Sequence, residues 1–171
     1  MLMSTKVPIK NFLMSLIKFI VLIYKDDLIG KIILKSIKEN FDNVLILEDD
    51  CEFSNKMLSI GDIMSHVPDD WDMIYFGGNH NITNDVIPGI VVNKHVVKIN
   101  HTFAIHCVAI KNTVFDDIIK LTEKTDRQID VMYTDIQKKY NVYCFYPSLV
   151  TQKIDFSDIQ NRIVNYNYLI K

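Results

Sequence analysis

The chain has 171 residues, of which 49% are hydrophobic and 23% are charged, and its formal net charge is −2. This length and composition suit one compact domain with a sizeable core, so we expect a single domain over residues 1–171. Acidic and basic residues are interspersed, which gives no electrostatic basis for binding nucleic acid. The three cysteines, Cys51, Cys107 and Cys144, lack metal-site spacing, and we expect buried thiols.

The segment from Phe12 to Tyr24 is apolar apart from Ser15 and Lys18. It is shorter than the ~20 apolar residues that a transmembrane helix needs, so we expect no membrane span. No small-residue cleavage site follows it, and we interpret it as a buried helix or strand, with a degenerate signal-anchor as the alternative. The expected location is the cytoplasm by default, and a secretory lumen stays open.

A helix and a buried strand follow. Apolar residues at helical spacing between Leu28 and Ile37 predict a helix that ends near Asn40. The uninterrupted apolar run Val44–Leu47 then predicts a buried strand. A helix that leads directly into a buried strand is typical of an α/β protein.

Three consecutive acids, Glu48, Asp49 and Asp50, come directly after that strand. Adjacent carboxylates repel one another, so they cost stability unless a cation or bound donors offset their charge. Residues two apart on a strand share a face, which puts Glu48 and Asp50 together and Asp49 opposite. Mg²⁺ and Mn²⁺ take such oxygen ligands, with phosphate oxygens and water completing the shell. The triplet therefore predicts a cation and diphosphate site, with a solvated turn as the alternative.

The next predicted elements are a helix and a short strand. Ser54 is placed to cap a helix that Pro68 ends. Met73–Phe76 predicts a short apolar strand. Gly77 and Gly78 at its end either form a plain turn or let the backbone approach a ligand.

The polar segment 79–89 predicts a surface loop. Two runs rich in β-branched and aromatic residues, 90–99 and 102–110, predict strands that pair antiparallel across the turn between them. For His101 and His106 we expect satisfied structural roles.

Two helices are predicted beyond these strands. Asn112 starts the first, which runs through Leu121, and Thr125 with Gln128 forms a capping box for the second. The second helix carries Asp130 in its first turn, where the helix dipole favours a carboxylate.

Five short segments carry a family likeness, and they are residues 43–53, 70–78, 100–106, 146–152 and 156–159. In this order they resemble glycosyltransferase family 25, the group that contains lipopolysaccharide glycosyltransferases and procollagen galactosyltransferases. The resemblance runs from about Gly30 to about Asn161, and residues 1–29 are atypical. Its strongest pieces are the first two segments.

The resemblance implies a GT-A-like, Rossmann-like α/β fold in which helices flank a mixed sheet. It implies a nucleotide-sugar donor, with a UDP-sugar expected, a divalent metal, Mn²⁺ or Mg²⁺, and a hydroxyl of a glycan or of hydroxylysine as acceptor. Family members carry a further stretch of several dozen residues ahead of the acidic motif, which opens with a strand that holds the donor nucleotide. Here 47 residues precede Glu48, and they show no such opening strand. We therefore expect an N-terminally shortened chain without the first donor-binding strand unit, or one whose first segment has been replaced.

Roles for five acids follow from the resemblance. Asp50 and Asp158 are candidate metal ligands, because the triplet alone cannot surround a cation. Glu48 and Asp49 are candidate donor-binding residues. Asp130 is the candidate base for the acceptor proton, since the family has an acid at the matching place.

Structural alternatives remain for two of these segments. Ser157 or Asp158 is also placed to cap a final helix that ends near Tyr168. Trp71 is placed either to stack on a sugar or base or, as is more usual for a lone tryptophan, to pack in the core.

The alternative to a glycosyltransferase is a catalytically inactive relative that binds a glycan or a protein partner.

Overall fold

The computed structural model describes residues 20–23, 29–56, 60–80, 89–123, 128–157 and 162–164. In these ranges the helices are Ile29–Lys38 (α1), Ile60–Met64 (α2), Phe115–Thr122 (α3) and Ile129–Gln137 (α4). The strands are Ile20–Ile23 (β1), Asn43–Glu48 (β2), Cys51–Phe53 (β3), Met73–Asn79 (β4), Ile90–Val91 (β5), Val96–Ile99 (β6), Phe103–Lys111 (β7), Val142–Phe145 (β8), Val150–Gln152 (β9), Asp155–Ser157 (β10) and Arg162–Val164 (β11).

Seven of the described strands form one mixed sheet in the order β1-β2-β7-β4-β8-β6-β5. β1 is parallel to β2, β4 is parallel to β8, and β7 runs antiparallel between β2 and β4. The carboxyl ends of β1, β2, β4 and β8 therefore meet at one edge of the sheet, which we call the carboxyl edge. β3 with β9 and β10 with β11 form two antiparallel ribbons. The predicted Rossmann-like α/β class, with helices flanking a mixed sheet, is confirmed.

Buried apolar side chains cover both faces of the sheet. On one face, α1, α3 and α4 contribute Ile33, Ile118 and Tyr133 to the core. On the other face, Ile63 of α2 packs in a second cluster with Phe76 of β4. Each fully buried side chain of this size contributes roughly 1.5–3 kcal/mol. All three cysteines are buried free thiols, as predicted.

The helix predicted to end near Asn40 is confirmed as α1. Asn40 has φ of 54°, in the left-handed region that asparagine adopts more readily than most residues. The N–H of Phe41 then donates to the carbonyl of Ser36 at 2.9 Å. This bond satisfies a carbonyl at the end of the helix and turns the chain into β2.

The paired glycines lie inside β4, which continues to Asn79, so the predicted strand end after Phe76 is wrong. A Cβ on Gly77 would lie 2.1 Å from the carbonyl oxygen of Val150 and 2.8 Å from the His106 ring. The pairing of β4 with β7 is also irregular on both sides of Gly77. Glycine is needed there because the ring and the β9 backbone pack against the strand.

The predicted pairing of residues 90–99 with residues 102–110 is wrong. The first run divides into β5 and β6, which pair with each other, and β6 continues the sheet against β8. Asn93 makes the turn, because its Oδ1 accepts hydrogen bonds from the N–H groups of His95 and Val96 at 2.9 and 3.1 Å. An asparagine side chain that bonds the backbone in this way ends a strand.

Two predicted helix starts are also wrong. Ser54 does not cap a helix, since its Oγ is buried with no hydrogen-bond partner in the described structure. Its N–H donates to the carbonyl of Leu149 at 2.9 Å beside the β3–β9 ribbon. Ser157 lies in β10, where Phe156 pairs with Ile163 of β11, so no helix spans residues 162–164. Asp158, also predicted as a cap, lies outside the described residues.

The other predicted elements have mixed outcomes. The strand within the predicted segment 12–24 is β1, and the rest of that segment lies outside the described residues. The helix predicted from Asn112 is confirmed as a 3₁₀ turn followed by α3. Of the predicted loop 79–89, residues 81–88 lie outside the described part. Among the helices that are described, none is long and apolar enough to cross a membrane.

Candidate functional site

Two of the three acids lie together at the carboxyl edge. Glu48 ends β2, and Asp49 and Asp50 form the turn that leads into β3. Asp49 is exposed, whereas Glu48 and Asp50 are half-buried. The Nε2 of Gln152 donates to Glu48 Oε2 at 2.9 Å and to Asp50 Oδ2 at 3.3 Å. Glu48 and Asp50 therefore face a common donor, as their spacing predicted.

The second oxygen of Asp50 is the unusual atom of this site. Its Oδ1 is buried and has no hydrogen-bond partner in the described structure. Burial, and then the neighbouring charge of Asp49, raise the pKa of the Asp50 carboxyl above its usual value. A buried polar atom without a partner costs about 1–3 kcal/mol. A bound cation or proton donor would offset that cost.

β9 lies over the turn and brings Gln152 into the site. Gln152 is opposite Cys51 in the β3–β9 register, one residue beyond Asp50. The N–H of Lys153 also donates to the carbonyl of Asp50 at 2.9 Å. Sequence reasoning assigned no role to Gln152, because the contact joins residues about 100 positions apart and no local spacing predicts it.

The donor set suits a cation that is shared with a phosphate ligand. Nowhere in the described ranges do three or more His, Cys, Asp or Glu side chains form a metal-binding group. Asp158, the other predicted ligand, is not among the described residues. Glu48 and Asp50 supply two carboxylates, which is enough for Mg²⁺-type sites in which substrate phosphates and water complete the shell.

Asp130 lies in the first turn of α4, at the start of β7. Its Oδ2 accepts a hydrogen bond from the N–H of Ala104 at 3.3 Å, and its Oδ1 accepts one from Val131 at 2.8 Å. Ala104 has φ of 55°, a left-handed conformation that costs a non-glycine residue roughly 1–2 kcal/mol. Asp130 thus stabilises a strained backbone, and its carboxylate keeps lone pairs for a further donor.

Gln137, at the other end of α4, fixes the same stretch of chain. Its Oε1 accepts from the N–H of Thr102 at 2.7 Å, and its Nε2 donates to the Thr102 carbonyl at 2.9 Å and to Tyr75 Oη at 2.8 Å. The Thr102 hydroxyl lies 2.8 Å from Nδ1 of His80. No local pattern predicts this network, since glutamine at a helix end is usually exposed.

Two histidines are buried beside the glycines of β4. His80 follows β4 and is 1% exposed, and His106 lies in β7 and is 3% exposed. Burial lowers the pKa of His80 to about 3 and that of His106 to about 4, so both rings are neutral at pH 7. Nε2 of His80 and Nδ1 of His106 are buried with no hydrogen-bond partner in the described structure. The expectation of a satisfied ring is therefore wrong for His106.

Two other aromatic predictions concern side chains away from this pair. His101 is exposed, and its ring contacts the edge of Phe103 with the ring centres 4.7 Å apart. Trp71 packs partly buried against the core at the amino end of β4, with Lys111 Nζ 4.5 Å from its ring centre. The predicted core role of Trp71 is confirmed.

A surface depression of about 310 Å³ lies at the opposite edge of the sheet. Asn40, Asp42, Asn112 and Asp116 contribute to its lining. Asp42 precedes β2 and Asn112 follows β7, so the depression is at the amino end of β2, away from the acidic turn.

Comparisons with known proteins place the chain in no family. No protein-family model and no curated protein matches the chain. Among solved structures, the chain is similar to "Crystal Structure of A197 from STIV", with 13% sequence identity over 86% of this chain and 92% of that one and a TM-score of 0.39. A likeness at this level carries no functional assignment.

Proposed function

We propose that the chain is a metal-dependent glycosyltransferase that moves a sugar from a nucleotide-diphosphate donor to a hydroxyl of a glycan or of hydroxylysine. The observation that carries the proposal is the buried, unpartnered Oδ1 of Asp50 beside the Glu48 carboxylate. α/β sheets bind ligands beyond the carboxyl ends of their strands, where these acids lie. The segments that resemble glycosyltransferase family 25 support the same function and a UDP-sugar as donor.

The acids have separate roles in this proposal. Glu48 and Asp50 would hold Mn²⁺ or Mg²⁺ jointly with the donor diphosphate, and Gln152 keeps the two carboxylates oriented. When bound, the cation would supply Lewis-acid stabilisation of the charge that develops on the leaving diphosphate. Asp49, which is exposed, is the proposed ligand of the donor ribose. Asp158 adds a further carboxylate ligand.

Asp130 is the proposed base. A transfer that inverts the sugar needs a group to take the proton of the acceptor hydroxyl. Two main-chain N–H groups fix the orientation of the Asp130 carboxylate, and α4 holds it at the same edge of the sheet as the acidic turn. Its remaining lone pairs would accept that proton.

The second candidate is a catalytically inactive relative that binds a glycan or a partner protein. The observation that favours it is that the Gln152 amide already donates to one oxygen of each acid, Glu48 Oε2 and Asp50 Oδ2, without a metal. Such a protein would bind Mn²⁺ weakly and without dependence on a nucleotide.

Calorimetric titration of Mn²⁺ with and without UDP separates the two candidates. The transferase should bind Mn²⁺ about 5- to 150-fold more tightly when UDP is present, because coupling between two ligands is reciprocal. Asp50→Asn should abolish this coupling, and Asp116→Asn, at an exposed acid beside the opposite edge, should retain it.

Assays of sugar transfer from UDP-glucose and UDP-galactose complete the test. Transfer by the wild type that Asp50→Asn abolishes supports the enzyme. Mn²⁺ binding that UDP does not strengthen, together with no transfer, supports the inactive relative. Coupling that survives in Asp50→Asn contradicts the proposed metal site.

A further inference from the structure

We propose that His80 and His106 form a second subsite at the carboxyl edge, which binds hydroxyl groups of the sugar in the donor. This subsite rests on the proposed function, because the acidic turn would take the charged diphosphate of the same ligand. It assigns the two histidines to the uncharged part of the ligand, for which the acids provide no partner.

Each histidine has one buried ring nitrogen that no described residue satisfies, Nε2 in His80 and Nδ1 in His106. Buried polar groups are nearly always hydrogen-bonded, so two exceptions from neighbouring strands need an explanation. Neutral imidazole offers one donor and one acceptor and carries no net charge, so it matches a hydroxyl, which both donates and accepts. The rings therefore suit a polyol better than a fully ionised anion, which has no donor for the acceptor nitrogen.

The orientation of His80 is set from α4. Gln137 bonds both the N–H and the carbonyl of Thr102, which leaves its amide only one possible orientation. Thr102 in turn contacts Nδ1 of His80 at 2.8 Å. Because this chain of bonds ends on Nδ1, it holds the ring in place and leaves Nε2 for a ligand.

Strand β9 contacts both subsites. Gln152 of β9 bonds Glu48 and Asp50, and Val150 of the same strand packs against Gly77 beside the His106 ring. β2 and β4 are separated by one strand, β7, so their ends lie ~10 Å apart at ~4.8 Å per strand.

The rings are nearly fully buried, so a ligand reaches them only when the carboxyl edge opens locally. The described structure of this edge favours such opening in two ways. Two unpaired nitrogens are better solvated when water or a ligand enters. Ala104 holds a left-handed backbone at the start of β7, and that strain is relieved if the strand end opens.

The sharpest test is His106→Phe, which removes a ring nitrogen that has no partner and keeps the shape of a buried ring. Calorimetry in Mn²⁺ should show UDP binding unchanged within about twofold and UDP-glucose binding weakened about 3- to 10-fold, the effect of one lost hydrogen bond. His66→Phe, at an exposed histidine, should change neither. Equal weakening of both ligands, or unchanged UDP-glucose binding, overturns the subsite.

Imidazole ¹⁵N spectra with glucose or galactose test the subsite independently of the nucleotide. The signals of His80 Nε2 and His106 Nδ1 should move on titration, while those of the exposed His66 and His101 stay fixed. If the wild type binds no UDP but these signals move, the transferase is refuted and the subsite stands. If no monosaccharide or UDP-sugar moves them, the subsite is refuted.

Discussion

Acidification from pH 7 to pH 5 should destabilise the protein strongly, because His80 and His106 are buried as neutral rings. Burial lowers their pKa values to about 3 and about 4, whereas an unfolded histidine has a pKa of about 6.5. The unfolded chain therefore binds two protons in this interval that the folded chain does not. The stability present above pH 6.5 is lost as the pH falls toward the folded values.

The size of the effect follows from the linkage of protonation to folding. At pH 5 the pH is about 1.5 units below the pKa of an unfolded histidine. One unit is worth about 1.4 kcal/mol, so each ring lowers the free energy of unfolding by about 2 kcal/mol. The two together remove about 4 kcal/mol, out of a total of about 5–15 kcal/mol for a typical domain. Asp50 has the opposite effect, because its raised pKa favours the protonated carboxyl in the folded protein, and acidification therefore increases its contribution to stability.

Urea unfolding, followed by the fluorescence of the single tryptophan, Trp71, measures this loss. The free energy of unfolding should be compared at pH 7, 6 and 5 for the wild type and for the double variant His80→Phe with His106→Phe. The variant should lose most of the pH dependence, and Asp50 contributes equally to both proteins. A wild-type change below about 1 kcal/mol between pH 7 and pH 5, or an equal change in the variant, would refute the reasoning.

Three further substitutions separate structural from chemical roles. Gly77→Ala should cost about 2–3 kcal/mol in urea unfolding, because its Cβ would meet the β9 backbone, whereas Gly30→Ala meets only the movable Thr122 side chain and should cost less. Asp50→Asn should raise the melting temperature in a thermal scan while abolishing transfer; a lower melting temperature would contradict the charge repulsion. Asp130→Asn should reduce turnover at least ~10²-fold if Asp130 is the base, at a stability cost of about 1 kcal/mol, and a loss below about threefold makes it structural.

The sequence predicted the parts of the fold that local patterns determine. The helical spacing before Asn40 and the apolar run of β2 both correspond to observed elements, because burial imposes a period on each. The pairing of β6 with β8 was not predictable in this way. A bend made by the Asn93 side chain divides an otherwise continuous β-rich run, and the choice of partner strand depends on the whole sheet.

The site was predictable only where its residues are adjacent in sequence. Glu48 ends β2 and Asp50 lies two positions later in the turn, so their approach follows from their closeness in sequence. Gln152 and Gln137 act across long separations in the chain, and neither belongs to a spacing pattern. His80 stands two residues after Gly78, but the contact that orients its buried ring comes from Thr102, 22 positions away.

The segment 70–78 has different roles at its two ends, although it carries the family resemblance as one unit. At the amino end, Asp70 Oδ1 accepts a hydrogen bond from Tyr143 Oη at 2.9 Å, and Asp72 Oδ2 accepts one from the N–H of Asn141 at 2.9 Å. These acids connect the starts of β4 and β8. At the other end, Gly77 borders the histidines and β9. Gly77 is five residues beyond Asp72, and a strand rises ~3.3 Å per residue, so these two positions are ~16 Å apart. Replacing Asp72 should therefore reduce stability and leave any ligand affinity of the folded protein unchanged, whereas substitutions beside Gly77 should affect both.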